Sequence, residues 1–386
     1  STNILSPLAV IFASILAVGL WLCILPDAAS AQGIPARDDG WWGAGTGLPG
    51  PAPISSPQAS AIAPGGEIYI FYRSTDGLRV SRWDGSNWVE LDGAFRMPVL
   101  GAEVAQAITV GADGSVYVAG RFNTVEQNST STPVNNIARW TPQDQVWEAV
   151  GGGVDSYVND IAVDATGRVV VAGIFGTGFE NGPPVPLNGI GRWDPSAGTW
   201  EAFGGGLVGL TPSFPAQAFT VDVRGGDVVV AGEFEEAVDA DGSTRLANGI
   251  IRWDDTAGSW QPLGLGLEND APVFPRHRDL IYAADGSIYL AGDASDGTAT
   301  PVPLEAFNPN GSSVFGNVLR WTGSEWQAVD AGLNADIMGD LVRDGSGRFF
   351  ARHASGGTSV ISKREAGAWT TIATFAPFQF ASTLAA

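Results

Sequence analysis

Cysteine is almost missing: Cys23 is the only one in 386 residues, so no intrachain disulfide and no cysteine metal cluster can form. Cys23 lies in an apolar run, where a thiol acts as a small hydrophobe. Histidine is nearly as scarce, with His277 and His353 the only imidazoles. Positive charge is short as well. Against 41 Asp+Glu stand 20 Lys+Arg, a formal net charge of -21 that repels phosphate backbones and anionic lipid surfaces. Nucleic acid is therefore excluded as a partner, and the acidic surface is first of all a means of staying soluble. Beyond the N-terminus no long stretch repeats apolar residues at helical spacing. What is present instead is 44% hydrophobic residues, 10% aromatics, 52 Gly and 24 Pro, the make-up of a folded protein of many short strands and turns.

The N-terminus is different. Residues 8–25, LAVIFASILAVGLWLCIL, carry no charge and are long enough for a membrane helix. Ala29-Ser30-Ala31 before Gln32 offers a small-x-small cleavage site, whereas residues 1–7 lack the basic residues of a usual signal peptide. Leu22 before Cys23 makes a poor lipobox. Residues 1–31 thus read as a signal peptide or an uncleaved membrane anchor, and both send the rest of the chain across a membrane, to the periplasm or cell surface. Residues 32–58, with Pro35, Pro49, Pro51, Pro53 and Pro57, read as a linker or a closing strand before a domain over 59–386.

From residue 59 on the chain repeats itself. One copy runs Ile161-Ala-Val-Asp-Ala-Thr-Gly167, Val169-Val-Val-Ala-Gly173, Gly189-Ile-Gly-Arg-Trp193, Trp200-Glu-Ala-Phe-Gly204. The same four phrases recur over 108–151, 219–264 and 280–329, with degenerate copies over 61–91 and 341–372. Each phrase is rich in Val, Ile, Tyr and Trp, and the breaks hold Gly, Asp and Pro, as expected for short strands joined by tight turns. Asp113-Gly114, Gly225-Gly226 and Asp285-Gly286 suit the first hairpin of a unit. A unit of four strands roughly 50–70 residues long exposes apolar surface on both faces and must stack on its neighbours. The expectation is all-β: a six-bladed β-propeller with the Arg-Trp phrase on the third strand of each blade and the next Trp on the fourth. Residues 40–48 resemble an isolated fourth phrase, which would close the ring by pairing in the first or last blade, a seventh incomplete blade being the less favoured arrangement.

These phrases resemble the kelch-like and galactose-oxidase-like propellers, and the tandem RWDG-x-W-x-x-LG-x-G repeats of secreted bacterial proteins, over roughly residues 41–375. The chain departs from kelch where paired glycines would follow the second strand: it has Ala119-Gly120, Ala172-Gly173, Ala231-Gly232 and Ala291-Gly292. The resemblance implies the propeller fold. It does not carry the copper oxidase site, because the crosslinking cysteine is absent from the repeats.

No catalytic constellation stands out. His277, in Pro275-Arg-His-Arg278, reads as an ordinary polar loop residue before a first strand, although that place is near a propeller axis. Asp113, Asp164 and Asp285 are turn residues by position, and the Arg-Trp pairs read as packing units, Trp between blades and Arg stacked or salt-bridged. Asp239, Asp241 and Ser243 have the alternate-oxygen spacing that starts a calcium loop, but the segment after them has no terminal Glu, which favours a solvated acidic loop and no cofactor.

Function follows as binding or scaffolding by an exported propeller, with protein partners, one candidate being an integral membrane complex that would hold it as an extrinsic subunit. The membrane itself is contacted only through the N-terminal segment if uncleaved. A carbohydrate-active or lyase-type enzyme and a cell-envelope adhesive module are the alternatives. Long connections between second and third phrases, on the same side as the links between repeats, place partner contacts at Phe179, Pro183, Phe214, Phe274, Phe307 and Phe315.

Overall fold

The computed structural model describes residues 57–375 except 85–86, 100–101, 212–213, 268–273, 296–300, 334–336, 345–346 and 356–357, together with 20–24, 41–43 and 381–385. The described chain is all-β, without a helix. Each repeat occupies one antiparallel four-stranded meander, and among the described residues there are six of these in sequence. The first runs Pro57–Ile62, Ile68–Ser74, Gly77–Trp83, Trp88–Arg96, and the second Val104–Val110, Val116–Arg121, Ile137–Trp140, Trp147–Ala149. The third is Val158–Val163, Val169–Gly173, Ile190–Asp194, Thr199–Ala202, and the fourth Gln217–Arg224, Asp227–Glu233, Ile250–Asp254, Ser259–Pro262. The fifth is Phe274–Tyr282, Ile288–Ser295, Val318–Trp321, Trp326–Ala328, and the sixth Ile337–Arg343, Phe349–Ser355, Thr358–Glu365, Ala368–Phe375. One phrase corresponds to one strand, with the Arg-Trp phrase third. His277 lies inside the first strand of the fifth sheet, opposite Gly292, not in a loop before it.

The sheets are stacked by their apolar faces. One core cluster joins Phe71 and Phe95 of the first sheet to Trp147 of the second, another Tyr117 to Val171 and Trp200 of the third. The series continues through Val170 with Trp260, Leu290 with Val229, and Tyr289 with Phe349, so the core is a succession of layers between neighbouring sheets. The first strands of successive sheets lie side by side, which makes the arrangement propeller-like. Ala381–Ala385 lies against the first strands of both the sixth and first sheets, and pairs with Leu20–Ile24, which pairs with Trp41–Gly43. Two expectations change here. The extra strand pairs in a separate three-stranded sheet, not within the first or last repeat. Leu20–Ile24 is a strand, where a helix is expected; the remainder of 8–25 lies outside the described residues.

A Trp ladder holds the outer edge of the first five sheets; in the sixth, Trp369 stands opposite Arg364. Third-strand and fourth-strand tryptophans face each other in register, with ring centroids 5.5 Å apart for Trp193 and Trp200, 5.3 Å for Trp253 and Trp260, and 5.4 Å for Trp321 and Trp326. In the fourth to sixth sheets the outer indole also reaches the preceding sheet: Trp260 Nε1 donates to Phe203 O at 3.2 Å, Trp326 Nε1 to Leu263 O at 2.9 Å, and Trp369 Nε1 to Val329 O at 2.7 Å. The neighbouring arginines stack and pair as their position suggests. Arg192 lies 5.2 Å from the Phe203 ring and bonds Glu201 and Asp255; Arg139 and Arg320 lie over Tyr117 and Tyr289.

Candidate functional site

The insertions between second and third strands are ordered hairpins, each reaching back to the sheet before its own. Thr124–Gln127 pairs with the tail of the first sheet over Ala94–Arg96, and Thr130–Pro133 pairs on its far side. Glu236–Val238 and Thr244–Leu246 extend from Gly206–Val208, which follows the third sheet. Leu304–Phe307 and Ser313–Gly316 extend from Gly266–Leu267 after the fourth. Thr177–Gly178 and Val185–Pro186 do the same more briefly, through a Val154 to Gly178 bridge. Inserted hairpins and inter-sheet links therefore share one end of the stack. Their first effect is to staple neighbouring sheets.

A second recurring contact ties each hairpin to its own outer strand. Gln127 Oε1, Glu180 Oε2, Asp239 Oδ1 and Asn308 Oδ1 accept from the backbone N–H of Trp147, Trp200, Trp260 and Trp326 at 2.9, 2.6, 2.8 and 2.5 Å. This explains the calcium-like segment. Asp239 is 5% exposed, its other oxygen bonds Arg245 Nε at 2.7 Å and Ser243 Oγ at 3.3 Å, and Asp241 accepts from Ser243 N. The corresponding turn of the fifth sheet, Asn308-Pro-Asn-Gly-Ser312, has the same backbone bonds with an amide in place of the carboxylate. What the two turns share is thus backbone geometry and the Trp contact. Asp239 is a buried brace, not part of a solvated acidic loop.

Of the six residues expected to meet a partner, Phe214 (63% exposed) and Phe315 (58%) present their rings to solvent, and Pro183 is exposed. Phe179 and Phe307 are half-buried, with carbonyls that accept from Gly152 N and Leu265 N across the staples. Phe274 begins a first strand, and its side chain lies outside the described residues. These residues are spread over the third and fifth sheets and the link between the third and fourth. Sequence reasoning missed other exposed apolar residues at the same end: Val99, Val208, Leu246 and Leu265. Val208, Glu236 and Leu246 form one cross-strand row, so their side chains share a face. Most of the exposed large apolar residues thus fall on the hairpins and links of one end; Val89, Val146 and Ile372, near the outer strands, are the others among the described residues.

The axis bounded by the first strands carries a second acidic feature. Asp160 Oδ2 accepts from Val221 N of the next sheet, Asp222 Oδ2 from Tyr282 N, and Asp279 Oδ2 from Leu341 N, at 2.8, 2.7 and 3.1 Å. The other oxygen of each accepts the following N–H of its own strand. Both oxygens are committed to backbone, which gives these carboxylates a role in ring cohesion. Burial pushes Asp160 up to about 6 and Asp222 up to about 7, the latter helped by the Asp160 charge. Burial also raises Asp279 well above the usual range, with Asp340 and Asp160 adding to it, while Asp340 is held by Arg352 at 3.1 Å. A carboxyl with a raised folded pKa binds its proton more tightly folded than unfolded, so its contribution to stability declines as pH rises from about 4 through about 7. Asp222→Asn is expected to lower the midpoint of unfolding at pH 5 through the lost acceptor, and to flatten the decline between pH 5 and 7 by up to about 1.4 kcal/mol per pH unit. Urea titrations at three pH values check this; an unchanged slope would remove Asp222 from the account.

His353 is 3% exposed and its Nε2 lies 3.0 Å from Ser362 Oγ, itself 1% exposed, so this Ser–His pair is closed to any substrate. Asn residues before the third strands were also legible only afterwards. Asn135, Asn188 and Asn248 have φ of 42°, 51° and 42°, a region Asn tolerates, and their Nδ2 groups bond Gly152 O, Gly205 O and Leu265 O in the outgoing links. The recurring Asn before Gly or Asn was the available signal.

No family model and no curated protein matches the chain. Among solved structures, the extracellular domain of a putative one-component system from B. thetaiotaomicron is 12% identical with a TM-score of 0.38; the match covers 84% of this chain, which spans only 42% of that one. A protein from Lactobacillus plantarum is 13% identical with a TM-score of 0.44, covering 86% and 88% of the two chains. A structure of YCF48 bound to D1 peptide is 13% identical with a TM-score of 0.41, covering 83% and 78%. At these similarities the fold rests on the chain's own sheet order and packing.

Proposed function

We propose that the chain is an exported, non-catalytic propeller of six complete kelch-like blades that serves as a binding or scaffold module, meeting a protein partner with its hairpin face. An extrinsic subunit of a membrane assembly is the setting this reading favours, with 59–386 as the ring and 32–58 running into its first strand, Pro57–Ile62. The observation that carries it is the gathering of exposed apolar side chains, Phe214 and Phe315 foremost, on the end where hairpins and links meet. Apolar residues of this size, held on a rigid scaffold among polar neighbours, are what partner surfaces use as anchors.

Phe214→Asp with Phe315→Asp is expected to leave the β-sheet spectrum and thermal midpoint nearly unchanged, since both rings are exposed, and to reduce recovery of a stoichiometric partner from solubilised membranes about tenfold or more. Undiminished recovery would refute the assignment of this face.

A further inference from the structure

Over the third to fifth sheets the two ends of the ring handle charge differently, whereas over the first sheet the hairpin end also pairs Asp76 with Arg79 and Glu103 with Arg73. At the end formed by the tight turns, carboxylates are matched by arginines: Asp113 with Arg139 and Asp164 with Arg168, at 3.2 and 2.7 Å. Asp254, Asp285 and Asp344 pair with Arg252, Arg320 and Arg348 in the same manner. On the hairpin end, Glu126, Glu235, Glu236, Asp241 and Glu305 have no ion-pair partner among the described residues. Arg245 is the only basic side chain in the described hairpins and links of the third to fifth sheets, and Asp239 holds it.

This unmatched charge lies among the exposed apolar residues. Glu236 stands between Val208 and Leu246 in one cross-strand row, and Glu305 is directly opposite Phe315 in the next hairpin. Leu265 and Phe214 occupy the two adjoining links. We infer that this sector, over the third to fifth sheets, docks a polypeptide segment that carries both basic and apolar side chains. The inference rests on the binding-module reading above and adds the chemistry of the partner. A neutral apolar segment would leave the carboxylates to be desolvated without compensation, and a purely basic one would leave Phe214, Leu246 and Phe315 uncovered. Lys or Arg alternating with aliphatic or aromatic residues satisfies both.

The test uses the full chain and labelled peptides of twelve residues: Lys and Leu interspersed with Gly and Ser, the same peptide with Glu for Lys, and the same with Ser for Leu. The Lys/Leu peptide is expected to bind about tenfold or more tightly than either control, and to weaken with salt. Glu235→Gln, Glu236→Gln and Glu305→Gln together, or Phe214→Ser, Leu246→Ser and Phe315→Ser together, should each weaken it about tenfold, with circular dichroism unchanged. Removing three charges elsewhere, Glu67→Gln, Glu148→Gln and Glu325→Gln, should change it less than about twofold. Equal binding of the Lys/Ser peptide, or equal loss from both charge variants, would overturn the inference. If the apolar variant loses its stoichiometric membrane partner while the peptides are not distinguished, the face stands and the proposed chemistry falls. If that variant keeps both partner and peptide, the face falls too.

Discussion

Replacing Trp260 by alanine is expected to destabilise the chain by about 3–5 kcal/mol, among the largest single losses the ring can show. Its indole is 1% exposed, lies 5.3 Å from the Trp253 ring and 6.1 Å from Phe203, and bonds Phe203 O across the gap between two sheets. Truncation opens a cavity in the layer that joins the third sheet to the fourth and removes that bond as well. The bond can be isolated by comparison. Trp147 occupies the same position in the second sheet, 1% exposed and 4.9 Å from Phe95, but its Nε1 has no hydrogen-bond partner. Trp260→Phe should therefore exceed Trp147→Phe by about 1 kcal/mol, the usual net worth of one hydrogen bond. Urea midpoints of the three variants check both statements, and equal losses from the two phenylalanine variants would show that the inter-sheet bond adds nothing.

Gly232→Ala is expected to be comparably damaging, about 3 kcal/mol or more, although it adds only a methyl group. The first strand of the fourth sheet bulges between Ala218 and Thr220, and Gly232 stands opposite the bulge. A Cβ there would overlap the Gln217 carbonyl oxygen, with the Ala218 Cα at 2.8 Å behind it. Both are backbone atoms of an axial strand packed against its neighbours, so relief requires shifting the ring's inner wall. Gly120 and Gly173 face the corresponding bulges and would meet the carbonyls of Val104 and Tyr157. Gly258 supplies the contrast. Its φ is 63° but nothing lies within 4 Å of a Cβ, so Gly258→Ala should cost only about 1–2 kcal/mol from backbone strain. Thermal midpoints of the two variants would separate overlap from strain, and a mild Gly232→Ala would contradict the bulge as the reason for the glycine.

That glycine shows what could be read from the chain in advance. The Ala-Gly ending of the second phrase was visible as a departure from kelch repeats, but its cause, a bulge in the facing strand, is a property of pairing. Strands and their order were legible because each phrase carries its own β-propensity and turn residues, and the Arg-Trp and Trp phrases fell on third and fourth strands. The inserted hairpins looked like free loops because their partners, Gly206–Val208 and Gly266–Leu267, lie in the preceding repeat and nothing local marks the register. Asp239 was misread for the same reason, since its role depends on Trp260, 21 residues away. The axial Asp160, Asp222 and Asp279 escaped notice because they do not share one place in the repeat: Asp160 and Asp279 face the second-strand Ala, whereas Asp222 faces Val229. At the candidate site, Phe214 and Phe315 were found through loop length, while Leu246 and Val208 became visible only through exposure and cross-strand pairing.

The central claim is that the hairpin end of the ring, not the turn end or the axis, meets the partner. Hydrogen exchange of the chain free and in complex with its co-purified membrane partner tests it most directly. Protection is expected in 204–211, 235–247, 263–267 and 304–316, with the tight turns at 111–115, 164–168 and 283–287 unchanged. Protection confined to those turns, with the hairpins exchanging as in the free chain, would contradict it.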